Sequence, residues 1–363
     1  MKIVVIGTRG IPNYLGGVEA HCQELYPRLA KLGCEVTVVR RTAYRDTGNP
    51  SHEYKGVNLV DIFSPRKKSL EAIVHTAFAL VYARSKSPDL VHIHAVGPSL
   101  LTPFARLLGL KVVSTNHGPD YDRKKWGRMA RRMLRMGESL GAVFSNRIIA
   151  ISPVIQDILK NNYNKESELV FNGITHKKHV QNSSYLASLG LKKEAYVVAV
   201  GRFVEEKGFH DLVSAFSRIE ENGIKLVLVG DSDHEDEYSQ TLKKRAEEAG
   251  VVLTGFIRGD RLVEVFCNAR LFVMPSYHEG LPIALLEAMS FSLPVLVSDI
   301  PANKVVRLPP GDYFSTGDVG ALRKGIETKL SQFDKPDYSA YMDKYDWDEI
   351  AEQTYSVYRQ IVC

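Results

Sequence analysis

Short apolar runs alternate with longer amphipathic segments along nearly the whole chain. The apolar runs are rich in Val, Ile and Leu, as buried strands are, and the segments between them have the spacing of helices. Such alternation predicts parallel sheets that are covered by helices on both faces. The predicted strands are Lys2–Ile6, Glu35–Val39, Leu90–His94, Lys111–Thr115 and Arg147–Ile151, followed by Tyr196–Gly201, Lys225–Gly230, Val251–Thr254, Leu271–Met274 and Pro294–Ser298.

A polar stretch separates the two series of strands. It runs from Thr175 to Glu194, is rich in Lys, Asn and Ser, and is interpreted as a linker over residues 176–194. The predicted fold class is therefore α/β, with Rossmann-like domains over 1–175 and 195–345. Ligands of such sheets bind beyond the carboxyl ends of the strands, so we expect the functional residues of both domains to face a central cleft.

The last segment carries a signal for the start of a helix. Asp346 is a suitable N-cap, and Glu349 three residues later completes a capping box. Apolar residues then follow at helical spacing: Trp347, Ile350, Ala351, Tyr355 and Tyr358. This helix, over 346–363, either ends the second domain or crosses back to pack on the first, and the pattern alone leaves both arrangements open.

Length and charge narrow the function classes. The chain has 363 residues, which is enough for two domains with complete cores. A net charge of +5 is too small to indicate a nucleic-acid partner. The four cysteines show no metal or disulfide spacing, as expected of reduced thiols in the cytoplasm.

The first residues and the longest apolar run indicate whether the chain is secreted or crosses a membrane. Met1–Gly7 has the pattern of a strand, not of a signal peptide. The apolar run Ala72–Ala83 contains His75 and is too short to span a bilayer. We therefore expect a cytoplasmic protein, with any membrane role peripheral.

The most informative motif is His278–Met289, in which Glu279 and Glu287 flank a Gly-Leu-Pro turn that opens an apolar helix. Pro282 suits the first helical position. The amides of Gly280, Leu281 and Ile283 would then point forward from a helix N-terminus, which is a natural anion site. Glu279 would reach a sugar and Glu287 a ribose. The alternative is a surface loop with two solvated glutamates.

The flanking residues extend this motif into a longer signature. A strand and Pro275-Ser276 precede it, and Pro294–Asp299 forms a Pro-bounded strand after it. The segment resembles the signature of the retaining glycosyltransferases of GT-B family 4. That resemblance implies a GT-B fold whose last helix crosses back to the first domain. It also implies a nucleotide-diphospho-sugar as donor substrate and front-face attack without a metal ion.

The glycines after the first strand do not form a dinucleotide-binding fingerprint, which needs Gly-x-Gly-x-x-Gly. The segment has Gly7 and Gly10, then Gly16-Gly17 just before a helix. Glycines there let backbone amides approach a phosphate closely. We predict that Gly16 and Gly17 contact a phosphate or the acceptor; the alternative is a plain loop. The run resembles that of bacterial rhamnosyltransferase-like members of family 4.

Two cations follow the first strand of the second domain. Arg202 and Lys207 lie in the segment Gly201–Gly208, where an arginine fork and a lysine point charge can both bind a diphosphate. They are alternatively two surface cations near acidic neighbours. The family resemblance implies the first role, in which both residues hold the donor diphosphate.

Histidines occur at the ends of two predicted strands of the first domain. The resemblance places His117 near the reacting carbon of the donor sugar, and Asp120 is a weaker candidate for orienting the acceptor. His92 and His94 alternate along the preceding strand, so we expect only one of them to face the cleft. Core or edge positions are favoured for both.

One acidic motif is set aside as a metal site, and one loop is assigned to the nucleotide base. Asp231-Ser232-Asp233 mimics the Asp-x-Asp metal motif, but it falls where the family has a nucleotide loop and begins a solvated acidic run. No metal and no cofactor are therefore expected. Phe256 and Ile257 resemble the segment that lines the base pocket, where backbone groups would hold the base.

The most basic stretch of the chain lies within 123–136. Its apolar residues fall on one helical face, and six cations surround them. This pattern fits either an interfacial helix on anionic lipid or an apolar stripe packed on the first domain. The apolar residues are Trp126, Met129, Met133 and Met136, and the cations are Lys124, Lys125, Arg128, Arg131, Arg132 and Arg135.

The family resemblance, taken with these features, implies a hexosyl-transferring, retaining, metal-independent glycosyltransferase of bacterial surface polysaccharide synthesis. The acceptor would be a saccharide hydroxyl, carried on a polyprenyl diphosphate at an anionic membrane surface. Many family members have an acidic residue shortly after the turn at Asp299, whereas residues 302–306 have none, so no contact is assigned there. The alternatives are an epimerase or phosphorylase of the same fold and a non-catalytic nucleotide-sugar binding protein.

Overall fold

The computed structural model describes residues 1–14, 16–44, 51–65, 68–119, 121, 127–174, 184–219, 223–232, 235–332 and 334–362. The chain forms two compact units. The N-terminal unit consists of Met1–Gly173 together with Lys344–Cys363, and the C-terminal unit is Ile174–Asp343.

The N-terminal unit is built on an eight-stranded sheet in the order β3-β4-β2-β1-β5-β6-β7-β8, in which only β3 pairs antiparallel. Its strands are β1 (Lys2–Ile6), β2 (Glu35–Arg41), β3 (Glu53–Tyr54), β4 (Val57–Ile62), β5 (Leu90–His94), β6 (Val112–Asn116), β7 (Arg147–Ala150) and β8 (Glu168–Leu169). Its helices up to this point are α1 (Gly17–Lys31), α2 (Lys68–Lys86), α3 (Thr102–Leu107), α4 (Arg128–Phe144) and α5 (Pro153–Tyr163).

Each face of this sheet has its own apolar core, because successive side chains of a strand point to opposite faces. Ile3 and Val5 of β1 pack with residues of α1 on one face. Val4 and Ile6 pack with residues of α2 and α3 on the other. Burial on both faces explains why the strands read as continuous apolar runs.

The C-terminal unit contains a six-stranded parallel sheet in the order β11-β10-β9-β12-β13-β14. Its strands are β9 (Tyr196–Val200), β10 (Lys225–Val229), β11 (Val252–Leu253), β12 (Leu271–Met274), β13 (Val295–Ser298) and β14 (Tyr313–Phe314). Its helices are α6 (Ser184–Ser188), α7 (Phe209–Phe216), α8 (Glu237–Glu248), α9 (Asp260–Cys267), α10 (Ile283–Ser290), α11 (Pro301–Lys304), α12 (Val319–Ser331) and α13 (Ser339–Met342).

The last helix, α14 (Trp347–Val362), belongs to the N-terminal unit. The Asp346 carboxylate caps it by accepting from the amides of Asp348 and Glu349, at 2.8 and 3.1 Å. Ile350 and other apolar residues of α14 join the same core as α1. The helix therefore packs on the first unit, as the family resemblance implies, and not on the second.

In both sheets, successive strands are added first on one side of the first strand of the unit and then on its other side. The change of side lies between β1 and β5 in the N-terminal sheet and between β9 and β12 in the C-terminal sheet. In open parallel sheets the crevice at this switch point is the usual ligand site. The loops that follow these four strands are therefore the first places to look for function.

Every strand predicted from the sequence is present, with ends that agree to within two residues. The sequence analysis missed the hairpin of β3 and β4, although Lys55-Gly56 between them has positive φ at both positions, as a tight hairpin turn requires. It also missed the two-residue strands β8 and β14. Of the predicted linker, residues 176–183 lie outside the described residues, and α6 occupies part of the rest.

Candidate functional site

Two loops of the C-terminal unit interlock at its switch point. Residues 201–208 follow β9 and residues 275–282 follow β12, and these two strands pair in parallel. The amide of Tyr277 donates to the carbonyl of Glu206 at 2.8 Å. At Gly208, where φ is +66°, an added Cβ would lie 2.1 Å from the carbonyl oxygen of Pro275. Only glycine allows the two loops to approach this closely.

The centre of these loops is an ion pair. The Nζ atom of Lys207 lies 2.6 Å from Oε1 of Glu279, and the side chains are only 20% and 11% exposed. The hydroxyl of Ser276 donates to the same carboxylate oxygen at 2.7 Å. The sequence assigned Lys207 to a diphosphate and Glu279 to a sugar. The structure brings the two charges together and adds Ser276, which the sequence analysis named within the signature but gave no role.

Ser276 is itself anchored by a buried polar chain. Its carbonyl accepts from the hydroxyl of Ser298 at 2.5 Å, and the amide group of Asn303 donates to the carbonyl of Ser298 at 2.9 Å. All three side chains are buried. The ends of β12 and β13 are thereby fixed to each other, which holds the Glu279 loop in place.

The start of α10 differs in detail from the prediction. Pro282 lies at the N-cap position, one residue before the first helical residue. The amide of Ile283 donates to the carbonyl of Leu281 at 3.0 Å, so the prediction that this amide is free was wrong. Among the described residues, no acceptor is bonded to the amides of Gly280 and Leu281. These two remain available for an anion, and Glu287 lies one turn into the helix, partly exposed.

Arg202 is the residue after Gly201, which lies in close contact with Gly230 where β9 and β10 end. At Gly230, where φ is +131°, a Cβ would lie 1.9 Å from the carbonyl oxygen of Gly201. The amide of Phe203 donates to the carbonyl of Asp231 at 3.0 Å. Arg202 is thus partly exposed, on a backbone whose two neighbouring residues, Gly201 and Phe203, are both held by the end of β10.

The described part of the Asp-x-Asp sequence is engaged in an ion pair. Lys243 Nζ lies 2.8 Å from Oδ1 of Asp231. Burial opposes ionisation of Asp231, but hydrogen bonds from Lys243 and from the amide of Ser232 hold its pKa below the ordinary value. Asp233 lies outside the described residues.

The loop predicted to line a base pocket follows β11. The carbonyl of Gly255 accepts from the amide of Gly230 at 3.0 Å, which joins this loop to the end of β10. The ring of Phe256 is 39% exposed, and Ile257 is partly exposed. Phe256 therefore offers an accessible aromatic face near the carboxyl ends of the strands, which is the surface a planar base would stack on.

The glycine loop of the N-terminal unit is folded around a carboxylate of the chain itself. Glu19, in the first turn of α1, is buried and accepts from the amide of Arg9 at 2.9 Å. At Gly16, where φ is +140°, a Cβ would lie 2.0 Å from Oε2 of Glu19, whereas at Gly17 it would meet nothing within 4 Å. Gly16 is thus needed to make room for Glu19. The negative charge of Glu19 disfavours a phosphate, which is also negative, at Gly16. The contacts of Gly16 and Gly17 with substrate remain predictions.

Histidines gather at the switch point of the N-terminal sheet. His94 Nδ1 lies 2.9 Å from His117 Nε2. The rings of His92 and His94 stack with centroids 4.2 Å apart. Both rings are fully buried, which confirms the core positions favoured for them. The expectation that the two point to different faces was wrong, because residues two apart in a strand share a face. Asp120, the weaker candidate, lies outside the described residues.

Burial sets the protonation of this cluster. It lowers the pKa of His21, whose ring contacts those of His94 and His117, to about 4. It also holds the pKa of His92, His94 and His117 well below the ordinary value. All of these imidazoles are neutral near pH 7, so each carries one nitrogen with a free lone pair for a partner. The sequence analysis did not single out His21, since its role depends on the packing of α1.

The basic segment shows which face of α4 packs and which does not. At Gly137, a Cβ would lie 2.1 Å from the carbonyl oxygen of Val96, so this side of the helix rests directly on backbone. Met129 and Met136 lie elsewhere on the helix and are 78% and 49% exposed. Residues 122–126, with Lys124, Lys125 and Trp126, lie outside the described residues. In the described part, the methionines at 129 and 136 are not buried against the unit.

None of the helices in the described part of the chain has the length and apolar character needed to span a membrane.

Comparison with known proteins gives concordant results for both units. Residues 183–332 match the family described as "Glycosyl transferases group 1", and residues 15–178 match "Glycosyltransferase Family 4". The chain is similar to the uncharacterized glycosyltransferase MJ1607 of Methanocaldococcus jannaschii, with 24% identity over 99% of this chain and 98% of that protein. It is also similar to the capsular polysaccharide biosynthesis glycosyltransferase CapM of Staphylococcus aureus, with 24% identity over 55% of this chain and 56% of CapM.

Among solved structures, the fold is similar to that of Alr3699/HepE of Anabaena, crystallised in complex with UDP-glucose. The TM-score is 0.81, with 18% identity, over 99% of this chain and 100% of that chain. This likeness shows a common two-unit α/β architecture.

Proposed function

The chain belongs to the group 1, family 4 glycosyltransferases of GT-B fold, and we propose that it is a retaining, metal-independent enzyme that uses a nucleotide-diphospho-sugar. It transfers a hexosyl group to a hydroxyl of a saccharide acceptor that is carried on a lipid diphosphate. The pathway is the synthesis of a bacterial surface polysaccharide.

The observation that carries the donor side of the proposal is the Lys207–Glu279 pair at the switch point of the C-terminal sheet. A cation, a carboxylate and the amides of Gly280 and Leu281 lie within two interlocked loops. Cations and amides suit a diphosphate, and carboxylates suit sugar hydroxyls, which are good hydrogen-bond donors. A nucleotide-diphospho-sugar carries both kinds of group, because its diphosphate is bonded directly to the sugar.

In the proposed reaction, the acceptor hydroxyl attacks the anomeric carbon from the face that the diphosphate leaves. The bond between the anomeric carbon and the diphosphate oxygen breaks as the new glycosidic bond forms, and the departing diphosphate takes the hydroxyl proton. Arg202, Lys207 and the amides of Gly280 and Leu281 stabilise the negative charge that grows on the diphosphate. Donors fixed in advance for developing charge often supply the largest catalytic contribution.

Further roles are proposed for the remaining predicted residues. Glu279 orients the donor sugar, Glu287 binds the ribose, and Phe256 and Ile257 contact the base. The contacts of Gly16, Gly17 and Ile283 with substrate and the role that the family resemblance gives His117 also stay predictions. The published complex of Alr3699/HepE with UDP-glucose supports a uridine nucleotide sugar as the first donor to test.

Similarity to CapM, a glycosyltransferase of capsular polysaccharide biosynthesis, supports the choice of a surface polysaccharide pathway. The exposed methionines and arginines of α4 support a lipid-carried acceptor, because a peripheral enzyme must meet such an acceptor at the membrane.

A donor screen tests the first part of the proposal. UDP-, GDP- and dTDP-sugars are added to the purified protein and its unfolding temperature is measured. The true donor should stabilise the fold, by about 2.7 kcal/mol at one hundred times its Kd. With Glu279→Gln that stabilisation should fall sharply, whereas Glu248→Gln, on the exposed end of α8, should match the wild type. No stabilisation by any nucleotide sugar would rule out the donor assignment.

The stereochemistry of the product tests the second part. With the donor found in the screen, the anomeric configuration of the new linkage is read by proton NMR and compared with that of the donor. Retention is expected. Inversion would exclude front-face attack, and release of free sugar without an acceptor would indicate a hydrolase or epimerase.

A further inference from the structure

Three histidines from separate parts of the N-terminal sequence meet at the switch point of its sheet. His94 is the last residue of β5, and His117 follows the neighbouring strand β6. His21 lies one turn into α1, the helix that follows β1. Because β1 and β5 are also neighbours, the fold delivers all three rings to one place.

The spacing of the three rings suits a small cation. One nitrogen from each ring can be chosen so that all three lie within 4.8 Å of one another. Nδ1 of His94 and Nε2 of His117 are 2.9 Å apart. Three nitrogens bound tetrahedrally to zinc at about 2.0–2.1 Å are separated by roughly 3.3 Å, so small ring rotations bring the cluster to that geometry.

The outer nitrogens of two of these rings already have partners. Nδ1 of His21 lies 2.6 Å from Oδ1 of Asn172, which fixes its proton on Nδ1 and leaves the lone pair on Nε2. Nε2 of His94 is bonded to the hydroxyl of Tyr26, which leaves Nδ1 for a ligand. Metal-binding histidines are oriented in this way, with the second nitrogen held by an oxygen.

One of the three inner nitrogens has no partner. The Nε2 atom of His21 is buried and accepts no hydrogen bond from any described residue, and the side chain is only 3% exposed. A hydrogen bond between His94 and His117 satisfies the inner nitrogens of those two rings but leaves His21 unsatisfied. Buried polar atoms are rarely left without a partner, and a cation bound by all three rings supplies it.

We propose that His21, His94 and His117 form a binding site for one Zn²⁺ ion, with a fourth position for water or another ligand on the partly exposed side of His117. Neutral imidazole is the form that binds metal, and three imidazoles prefer zinc or its neighbours to Mg²⁺, which favours oxygen ligands. The sequence analysis expected no metal site. It missed this one because the three histidines have no short-range spacing.

The test of this site does not depend on the transfer reaction, although His117 is also predicted to lie near the reacting carbon. The ligands of the site lie in the N-terminal unit, whereas the proposed diphosphate contacts are cations and amides of the C-terminal unit. The site can therefore be tested by metal bound per chain, without knowledge of the donor or the acceptor.

The test uses the full-length protein without a histidine tag, first treated with EDTA and then freed of it. Zn²⁺ binding is measured by competition with a chromophoric chelator, and Co²⁺ is added separately to read the visible spectrum. We expect one ion per chain and the intense absorption of tetrahedral cobalt. His21→Ala removes a ligand and should weaken binding at least a hundredfold. Asn172→Ala should weaken it about 10–100-fold, because it removes only the side chain that holds Nδ1 of His21.

The matched control is His52→Ala, an exposed histidine outside the cluster, which should bind as the wild type does. Circular dichroism establishes that each variant is folded, and His117→Ala replaces His21→Ala if the latter does not fold. Absence of stoichiometric zinc in the wild-type protein, or wild-type affinity in the folded His21 and His117 variants, would overturn the site.

Discussion

The Nζ atom of Lys207 lies 2.6 Å from Oε1 of Glu279, although the two residues come from loops that follow different strands. Their contact depends on the pairing of β9 with β12 and on Gly208, which lets the loops touch. A diphosphate that binds here would compete with Glu279 for the ammonium group. Binding of the diphosphate to Lys207 would free the Glu279 carboxylate for a sugar hydroxyl, so the two proposed contacts would form together.

Removal of either cation of the donor site should slow transfer. Lys207→Ala and Arg202→Ala should each lower kcat/KM at least tenfold, because each removes a charge-assisted contact worth about 1.5–3 kcal/mol. Lys324→Ala, an exposed lysine on α12, is the control and should leave kinetics unchanged. Near-normal kinetics in both folded variants would remove these residues from the site.

Substitution of two glycines with nearly the same φ distinguishes the effect of the loop contact at Gly208 from the effect of backbone strain alone. Gly208 and Gly250 have φ of +66° and +68°, but only at Gly208 would a Cβ collide with a backbone oxygen. Gly250→Ala should cost about 1–2 kcal/mol in the free energy of unfolding, the strain of a left-handed alanine. Gly208→Ala should cost more and also weaken donor binding at least tenfold. Urea unfolding and donor titration measure both; equal effects of the two substitutions would show that the loops can separate freely.

Most of the fold was predictable because it depends on local pattern. Buried parallel strands are continuous apolar runs, so the strands of both sheets could be located from Val, Ile and Leu alone. The helix α14 was marked by its cap at Asp346. The unit on which it packs had no local signal, because the contacts join residues that are distant in sequence, such as Gly173 and Trp347, where an added Cβ would lie 2.5 Å from the ring.

The site was predictable only in part, because contacts between distant residues have no local signal. Glu279 and Lys207 could be assigned to a donor site by motif, yet their ion pair arises from sheet order. His21 and His94 meet for the same reason. The engaged amide of Ile283 reflects the exact turn that Pro282 adopts, which residue type alone does not fix.

Transfer should not require a divalent cation. The phosphate-binding groups proposed here are Lys207, Arg202 and backbone amides, and the described aspartate of the Asp-x-Asp sequence is paired with Lys243. Activity in excess EDTA should equal activity in untreated buffer, including after any zinc has been removed from the N-terminal unit. Loss of activity that Mg²⁺ or Mn²⁺ restores would contradict metal independence.

Acid should destabilise the fold partly through His75. Burial, with the nearby charge of Arg41, lowers the pKa of this ring to about 4, from about 6.5 when unfolded. Because the folded-state pKa is the lower one, the unfolded chain binds the proton first as pH falls. The stability that neutral His75 contributes is thus complete above pH 6.5 and is lost progressively down to about pH 4.

The loss attributable to this one residue can be isolated with His75→Gln, which cannot titrate. Between pH 7.5 and 5, the wild type should lose about 2 kcal/mol more unfolding free energy than the variant. Urea unfolding in the presence of EDTA measures both, and EDTA excludes any effect of bound metal. Parallel pH profiles of the two proteins would show that His75 titrates normally in the folded state.

The final prediction concerns the exposed face of α4. Met129 and Met136 are seven residues apart and share this face with Val143, which is 48% exposed, while Arg128 and Arg132 are exposed beside them. In the described part of the chain these side chains do not pack on the unit, since the buried residues of α4 lie on the other side of the helix: Gly137, Glu138, Gly141 and Ala142. Cations flanking exposed apolar side chains fit an anionic lipid surface, where a lipid-carried acceptor would be found.

We expect the protein to co-sediment with vesicles of phosphatidylglycerol but weakly with phosphatidylcholine, and less as salt rises, because the attraction is screened over about 8–10 Å. Each cation near such a surface contributes about 1 kcal/mol, so Arg128→Gln with Arg132→Gln should weaken binding roughly thirtyfold. The same two-charge change at Arg323 and Lys324, exposed on α12, is the control. Met129→Ser should weaken binding further without altering charge. Equal binding to both lipids, or equal effects of the two charge changes, would show that α4 does not direct the enzyme to a membrane.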